Sequence, residues 1–540
     1  MYRINNLIER KYYLASAVLI FLSFPSYDFA LLKFFPVIAW FSLVPLFGYV
    51  SGKSLRDVFL ASFVTGIAGH LFAYGWIGNF GAKVPGGYAV VLLFLIPSLT
   101  VFFSVKITLS EYLSQKLPGY RIFIYPSVWI IIDYIQSLGF LAFPWTYIGY
   151  SQYTFTSFIQ MASVTGILGV NFIIIMFNSV FSQYLISFKG FNRISDGMNN
   201  KYFVRVSAVI LLVVIITISG FIRLSIKNRD VNGKTLKVAV VQSCISPWEN
   251  WSGNRFKYLS ELIQLTKESL RSNPDFIIWS ESATLELISF RATTGGRDSF
   301  DEQLTDFIKE NGKPLLTGEI GITAKREGDS MSYYPQNNAV LISGTGEVMQ
   351  TYSKINLVPF GEWFPYEKWL VPVKNLVESF GGSSFVPGIS PELFNIEGLK
   401  FGTLICYEGI FTRRCSEYRR MGADFFVNIT NDGWTDTYNG HYQHYSASIF
   451  RAVENGIWMV RGGNTGVSSI IDPKGRVVST IPILKKDFLT GEIDTSQNVK
   501  TFYSIYGDLI LYASMIFILI IISWLILIYL KGNKLKYNNI

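Results

Sequence analysis

Two kinds of hydrophobic pattern follow one another along the chain. Up to about residue 226 apolar residues run on with few interruptions. From 227 to 504 they come in short runs separated by polar, helix-periodic stretches, and from 506 to 530 the long apolar run returns. A helix that crosses a bilayer needs about 20 apolar residues. On that length, spans are predicted near 12–27, 30–50, 57–78, 88–110, 122–139, 158–186, 203–225 and 506–530. The first ends near Pro25, and the run at 158–186 is long enough to tilt or bend. The middle region predicts strands at 237–242, 276–281, 314–320, 338–343, 401–407, 425–430, 458–462 and 468–472. Helical patterns lie near 252–272, 299–311 and 441–455, and a turn at Pro473–Gly475 closes a hairpin. Strands interleaved with helices imply sheets covered by helices. The expected organisation is a bundle of seven spans over 1–226, an α/β domain over 227–504, and a final span with its tail over 505–540.

Composition agrees with the pattern. Half of the 540 residues are hydrophobic and only 16% are charged, against roughly 25% in soluble chains. A disordered chain, a collagen-like chain and a purely soluble enzyme are excluded. The net charge of +9 could suggest a nucleic-acid partner, but the basic residues are placed by loop. Arg3, Arg10 and Lys11 precede the first span, and Lys53 and Arg56 separate the second and third. Lys116 and Arg121 follow the fourth. Lys189, Arg193, Lys201 and Arg205 follow the sixth, and Lys531, Lys534 and Lys536 follow the last. Loops 25–30 and 140–157 have none, and 79–87 has only Lys83. Basic loops stay cytoplasmic, so both termini are expected inside and the α/β domain outside. Arg223, Lys227 and Arg229 run against the rule, as large translocated domains permit. No small-residue cleavage site follows Phe24, so the first helix is read as an uncleaved span rather than a signal peptide. The uncharged loop 140–157 is rich in Trp and Tyr. An interfacial aromatic belt and a role in lipid access both fit it.

Several familiar sites are missing. There is no G-x-x-x-x-G-K-[ST] phosphate loop, no H-E-x-x-H zinc motif and no G-x-S-x-G elbow. Three cysteines, Cys244, Cys406 and Cys415, make no disulfide framework. His441 and His444 with Cys406 and Cys415 could be drawn as a metal site, but the cysteine spacing is unlike structural zinc. Neither metal nor cofactor is expected. What remains are polar residues at strand ends, where open α/β sheets gather their sites. Glu281 follows an apolar strand in Ile278-Trp-Ser-Glu281. Lys354 and Glu362 lie in the apolar loop Lys354-Ile-Asn-Leu-Val-Pro-Phe-Gly-Glu362, and Cys406-Tyr-Glu408 ends another strand. A carboxylate can take a thiol's proton, and an ammonium can favour the thiolate and hold an oxyanion. Equally, a buried Cys is often inert and strand-end charges are often solvated. The residues alone leave both readings open.

The segments around Glu281, Lys354 and Cys406 resemble the Glu-Lys-Cys triad of the nitrilase superfamily. The longer motif Tyr352-Ser-Lys-Ile-Asn-Leu-Val-Pro-Phe-Gly-Glu-Trp-Phe-Pro365, with Cys406-Tyr-Glu408 and the flanking spans, resembles the apolipoprotein N-acyltransferases of the bacterial inner membrane. That resemblance implies an αββα sandwich carried outside the membrane by a helical bundle of about eight spans. It implies Glu281 as general base, Cys406 as nucleophile and Lys354 as stabiliser of a tetrahedral intermediate. Glu362 and Glu408 match further carboxylates, Asn338 an asparagine beside the lysine, and Trp248 a tryptophan on an arm over the site. Tyr407 follows the nucleophile, so its backbone N–H is expected in the oxyanion hole. His444 is expected to position rather than react. Three local departures stand out: Trp-Ser-Glu for the usual Trp-Pro-Glu, Gly409 in place of a bulky residue, and Arg-Gly-Gly-Asn-Thr-Gly where an Asn-rich version is usual. None removes a triad residue. The implied reaction moves an acyl chain from a membrane phospholipid, expected to be phosphatidylethanolamine, through a Cys406 thioester. The acceptor is the α-amino group of the diacylglyceryl-cysteine of an apolipoprotein. The enzyme is expected to act as a monomer, with the aromatic stretch 360–369 as a wall or lid. A membrane-tethered amidase using the same triad, and a lipid transporter or scaffold without chemistry, are the alternatives.

Overall fold

The computed structural model describes the whole chain except residues 1, 26–34, 80–87, 89–90, 140–141, 190–195, 228–232, 328–329, 364–370, 372–384, 436 and 538–540. Among the described residues five helical segments are long and apolar enough to cross a bilayer: Leu55–Asn79, Val91–Lys116, Ala162–Ser187, Lys201–Ser225 and Leu509–Lys531. The other three expected spans take shorter forms. The first is a helix over Tyr2–Ser23 whose apolar part is only Lys11–Ser23, ending just before Phe24 and Pro25. The second is broken into Phe35–Ala39 and Val44–Val50. The fifth, Arg121–Gln136, contains Pro126 and has 16 residues, about 24 Å of helix, where a bilayer core is about 30 Å thick. Packing against longer neighbours, rather than length, holds these pieces in the bundle. The sixth run does bend. A short helix at Thr156–Ile159 precedes Ala162–Lys189, which kinks at Gly166, where φ is +66°. A side chain at Gly166 would meet the Tyr503 ring at 2.5 Å.

The outer faces of two spans remain uncovered. Leu211, Ile218 and Phe221 on one, and Leu519, Ile520 and Leu527 on the other, are exposed apolar residues suited to lipid. Charges inside the bundle are paired. Asp133 accepts from Lys106 and from Asn171 Nδ2, and Glu111 is bonded to Arg121. Lys106 and Asp133 come from consecutive helices, Ile96–Lys116 and Arg121–Gln136.

The α/β region forms two six-stranded sheets. Its strands are β1 (Thr235–Gln242), β2 (Phe276–Ile278), β3 (Leu315–Glu327), β4 (Ser330–Ile342), β5 (Val348–Ser353) and β6 (Leu393–Ile396). They continue with β7 (Leu399–Ile405), β8 (Phe425–Thr430), β9 (Trp458–Gly463), β10 (Ser468–Ile471), β11 (Val477–Ile481) and β12 (Asp487–Asp494). The sheet orders are β12-β1-β2-β3-β4-β5 and β11-β10-β9-β8-β7-β6. In each the central pairs are parallel and the outer ones antiparallel. Period-two alternation decides the layers. Leu236, Val238 and Val240 face the second sheet's Phe401, Phe425, Val427 and Val460 across the inner core. Val241, Ile277 and Val340 instead pack under the helices Trp251–Leu270 and Ser299–Asn311. The result is the expected αββα sandwich.

Three edge strands, β5, β6 and β12, were not expected, and β11 was implied only as the second arm of the hairpin at Pro473–Gly475. They are short or half exposed, so their apolar runs are weak. β3 and β4 also run further than expected, because their hairpin arm extends past the sheet with polar residues that carry no hydrophobic signal.

The second sheet's outer layer is the helices Thr412–Met421 and Tyr438–Asn455, and this layer lies on the bundle. One continuous core holds Phe426 and Met459 of the sheet, Ala447, Phe450 and Val453 of the helix, and Tyr150, Phe158 and Ile167 of the bundle. A buried ion pair joins the two parts. Arg451 Nε lies 2.9 Å from Glu454 Oε2, Arg451 donates to the Ile410 carbonyl at 2.8 Å, and Glu454 accepts from the Ile167 N–H at 2.8 Å. Glu454→Ala would strand the Arg451 charge, at a cost of about 3–5 kcal/mol. The expected outcome is a lower thermal unfolding midpoint in detergent and new proteolytic cleavage between sandwich and bundle. An Arg451→Met/Glu454→Leu double variant should recover much of the loss. A wild-type midpoint in Glu454→Ala would remove the pair from the docking argument.

Candidate active site

Three strand ends converge at one end of the sandwich, and both sheets contribute. β2 stops at Ile278, and Trp279-Ser-Glu281 runs on from its carboxyl end. β5 stops at Ser353 and is followed by Lys354. β7 stops at Ile405, and Cys406 opens a tight turn over Cys406–Ile410. Cys406 has φ of +49°, in the left-handed region. For a non-glycine residue this costs of order 1–3 kcal/mol and persists only where the surroundings enforce it.

The centre of the site is an ammonium between two carboxylates. Lys354 Nζ lies 3.2 Å from Glu281 Oε1 and 2.8 Å from Glu362 Oε1. Asn337 Nδ2 donates to the same two oxygens at 2.8 and 2.7 Å. Glu281 Oε2 accepts from the Asn431 N–H at 2.8 Å, and Glu362 Oε2 from the Val358 N–H at 2.8 Å. Glu281 is 3% exposed and Lys354 is 1% exposed, so these charges depend on each other. Burial pushes the Glu281 carboxyl above its ordinary value; Lys354 works against the rise and Glu362 adds to it. Burial works against the charge on Lys354, but Glu281 and Glu362 outweigh it and hold the ammonium well above the lysine range. The Cys406 thiol is pushed up by burial and then by the Glu281 charge, with Lys354 opposing. The resting arrangement is therefore a thiol, a lysinium and a carboxylate raised toward useful basicity.

Glu408 has a different part. Its Oε1 accepts from the Ile355 N–H at 2.8 Å, the Asn356 N–H at 3.1 Å and the Tyr352 hydroxyl at 2.8 Å, and its Oε2 from the Ile405 N–H at 2.9 Å. It pins the lysine loop to the cysteine turn, one sheet to the other, without touching Glu281 or Lys354. Tyr407 turns its side chain to the bundle: its hydroxyl donates to the Ala142 carbonyl at 2.6 Å, and its ring stacks on Trp145 at 6.3 Å. Trp248 sits on the loop after β1, edge to face with Trp434 at 5.3 Å, over the turn that begins at Asn431. The aromatic stretch 360–369 is described only as far as Trp363.

Asn338 requires correction. Neighbouring strand residues face opposite ways, and it is Asn337 that reaches Glu281 and Glu362. Asn338 pairs across β3 with Glu319, and a side chain at Gly321 would collide with its amide. The Asn-Asn motif marked the place, but only the register chose between the two.

Beneath the cysteine lies a group the sequence did not assemble. His444 Nδ1 is 2.7 Å from Asp432 Oδ1, and His444 Nε2 is 3.1 Å from the Cys406 carbonyl. Arg461 Nη2 lies 2.7 Å from Asp432 Oδ2 and 3.1 Å from His444 Nδ1. Burial opposes the charge on Asp432, yet His444 and Arg461 hold its carboxyl well below the usual range. These groups grip the Cys406 backbone in its strained turn. Cys406, Asp432 and His444 also bring one metal-capable atom each within 4.8 Å of one another. Both ring nitrogens are already engaged, and a guanidinium sits against the same carboxylate, so the set is poorly suited to a cation. Trp145 lies 5.1 Å from the His444 ring, so residues 142–157 abut the cysteine turn.

Asn337 and Asn338 can be told apart experimentally. Removing one hydrogen bond to a charged group costs about 1.5–3 kcal/mol, or roughly 10- to 100-fold in rate. Asn337→Ala should slow iodoacetamide alkylation of Cys406 near neutral pH by about that factor, read by peptide mass spectrometry, because Glu281 loses a donor that favours its charged form. Asn338→Ala should leave the rate near wild type. The reverse order would reject the assignment.

Comparison with known proteins covers both the bundle and the sandwich. Residues 16–180 match the apolipoprotein N-acyltransferase N-terminal domain, and residues 237–501 match the carbon-nitrogen hydrolase family. The chain is 30% identical to an apolipoprotein N-acyltransferase of Geobacter metallireducens, over 94% of this chain and 93% of that one. It is 29% identical to apolipoprotein N-acyltransferase 2 of Treponema denticola, over 91% and 94%. A solved amidase of the nitrilase superfamily from Nesterenkonia is 18% identical, with a TM-score of 0.35 over 48% of this chain and 90% of that one. The similarity to the acyltransferases runs through bundle and sandwich alike, and the chain belongs to the apolipoprotein N-acyltransferase family of the nitrilase superfamily.

Proposed function

We propose that the protein transfers an acyl chain from a membrane phospholipid to the N-terminal amine of a diacylglyceryl apolipoprotein, through a thioester on Cys406. The observation that carries this reading is the Glu281–Lys354–Glu362 charge cluster beside the Cys406 turn, on a sandwich seated on an apolar bundle. The name shared by the relatives supplies the acceptor class.

The steps follow from the groups. Glu281 takes the thiol proton as Cys406 Sγ attacks the ester carbonyl. The Lys354 ammonium and the Tyr407 backbone N–H hold the oxyanion. The C–O bond breaks, Glu281 returns the proton to the departing lysophospholipid oxygen, and the acyl chain remains on sulfur. The acceptor amine then attacks the thioester, Glu281 takes its proton, and the proton passes to sulfur as the thiol leaves. Asn337 and the Asn431 N–H keep Glu281 in place through both halves, and Glu362 balances the Lys354 charge. Both substrates are lipids, so a site at the bundle surface needs only lateral diffusion. Water must be excluded from the thioester, and the aromatic contacts of Trp145, Tyr407 and Trp248 suit that task. An amidase using water as acceptor would not need the bundle, and the paired state of Asp133 and Lys106 gives no opening for a transport path.

The loop charges support a reaction on the outer face of the inner membrane with both termini cytoplasmic, and the resemblance to the family supports phosphatidylethanolamine as donor and a monomer as the working unit.

Intact-protein mass spectrometry after incubation with phospholipid should show a gain of one acyl chain that hydroxylamine removes. Cys406→Ala should show neither the adduct nor transfer, while Cys244→Ala and Cys415→Ala should keep both. Transfer retained by Cys406→Ala would sink the mechanism. Its pH dependence has a definite sign. Only deprotonated Glu281 acts as base, and its pKa is raised. The first half-reaction should therefore decline with falling pH already above the ordinary glutamate value. Glu281→Gln should abolish it at every pH; an unchanged acid limb in that variant would assign the base elsewhere.

A further inference from the structure

A second cavity lies at the far end of the bundle. The helix Ala162–Lys189 touches the sandwich at Ile167, which bonds Glu454. Ser179 and Gln183 are about 18 and 24 Å further along its axis, at 1.5 Å per residue. There a cavity of about 190 Å³ is lined by Glu111, Ser114, Arg121, Ser179, Gln183 and Arg205 among others. That is far more space than one water needs.

Its wall carries unused polar groups. The Ser114 and Ser179 hydroxyls and Arg121 Nε are buried, with no hydrogen-bond partner among the described residues. Serines in a helix usually return the hydroxyl to a carbonyl one turn back, as Ser110 does to Lys106 and Ser182 to Ser179. Ser114 and Ser179 do not. Buried polar atoms are nearly always satisfied, so three together on one cavity call for a ligand or ordered solvent. The lining carries two guanidinium groups against one carboxylate. That carboxylate, Glu111, is already saturated. Its Oε1 accepts from the Gly52 N–H at 2.8 Å and Gln115 at 3.3 Å, and its Oε2 from Arg121 at 2.5 Å and the Tyr125 hydroxyl at 2.6 Å. The cavity thus keeps a net positive charge and a surplus of donors. Arg205 is only partly buried; it donates to the Gly119 carbonyl at 3.4 Å and leans on the Tyr202 ring.

We propose that this cavity binds a phosphate group. A phosphate brings only acceptor oxygens and negative charge, and guanidinium and hydroxyl donors are its usual partners. The cavity lies among the basic loops, where polybasic pockets between spans meet lipid headgroups. Phosphate of a headgroup and free phosphate share this chemistry. The site is separate from Cys406 and does not depend on the reaction proposed there.

The test uses the full-length protein, purified in detergent and stripped of lipid. The probes are diether phosphatidylglycerol in mixed micelles, which has no ester to transfer, and inorganic phosphate. Thermal unfolding midpoints give a Kd for each probe with wild type, Arg205→Gln and Ser179→Ala. The variants should fold like wild type, since one side chain is at the rim and the other loses only a hydroxyl. We expect at least one probe to raise the wild-type midpoint, with Kd weakened about tenfold in Arg205→Gln, the effect of one charge-assisted hydrogen bond. Arg205→Lys should recover part of it. Saturation by inorganic phosphate assigns free phosphate, and a response to the diether lipid alone assigns a headgroup; either supports the proposal. No stabilisation by either probe, or equal Kd values in wild type and both variants, would overturn it and leave the cavity to solvent.

Discussion

Lys354 between Glu281 and Glu362 is the interaction on which the rest depends. The buried Glu281 carboxylate is stabilised by the ammonium, and the ammonium would not stay charged at that depth without its carboxylate partners. The three side chains come from the end of β2, the end of β5 and the loop beyond it. Satisfying one charge therefore fixes three chain segments. Cys406 joins from the opposite sheet, and Glu408 ties the two sheets by accepting from the backbone on both sides. The electrostatics and the architecture are a single constraint: the sandwich closes at this end only if the charges meet.

A second constraint acts from below. The cysteine turn is left-handed at Cys406, and its carbonyl is held by His444, which Asp432 and Arg461 orient. His444 lies on the helix Tyr438–Asn455, which also carries Arg451 and Glu454 into the bundle interface. One helix thus links the backbone geometry at Cys406 to the docking of the membrane part. The loop around Trp145 completes the link, since Trp145 meets both Tyr407 and His444. A change in how the bundle seats the sandwich would be felt at the sulfur through these contacts.

The sequence by itself determined a good deal. Long apolar runs cannot be dissolved in water, so the bundle followed from hydropathy alone, and the short alternating runs required a layered α/β domain. Glu281, Lys354, Glu362, Cys406 and Glu408 stood out as polar residues at or beside strand ends, but the residues alone left an inert reading open, and only the resemblance to the nitrilase superfamily grouped them. The lengths of the spans were less legible: the fifth helix stops at Gln136 and the second is broken after Ala39, although composition alone suggested full crossings. The weak edge strands were missed because a half-exposed strand has little apolar signal to show.

Only the tertiary structure decided what depends on register and on distant segments meeting. It chose Asn337 over its neighbour, because a one-residue shift reverses the face of a strand. It gave Glu408 to the backbone rather than to Glu281 and Lys354. It brought His444, Asp432 and Arg461 under Cys406, and paired Lys106 with Asp133 across two spans. Local composition fixes how each segment is solvated and what kind of element it becomes. Which charges neutralise one another is a property of the packed chain, because the partners lie tens to hundreds of residues apart and become neighbours only after the apolar faces have found their own.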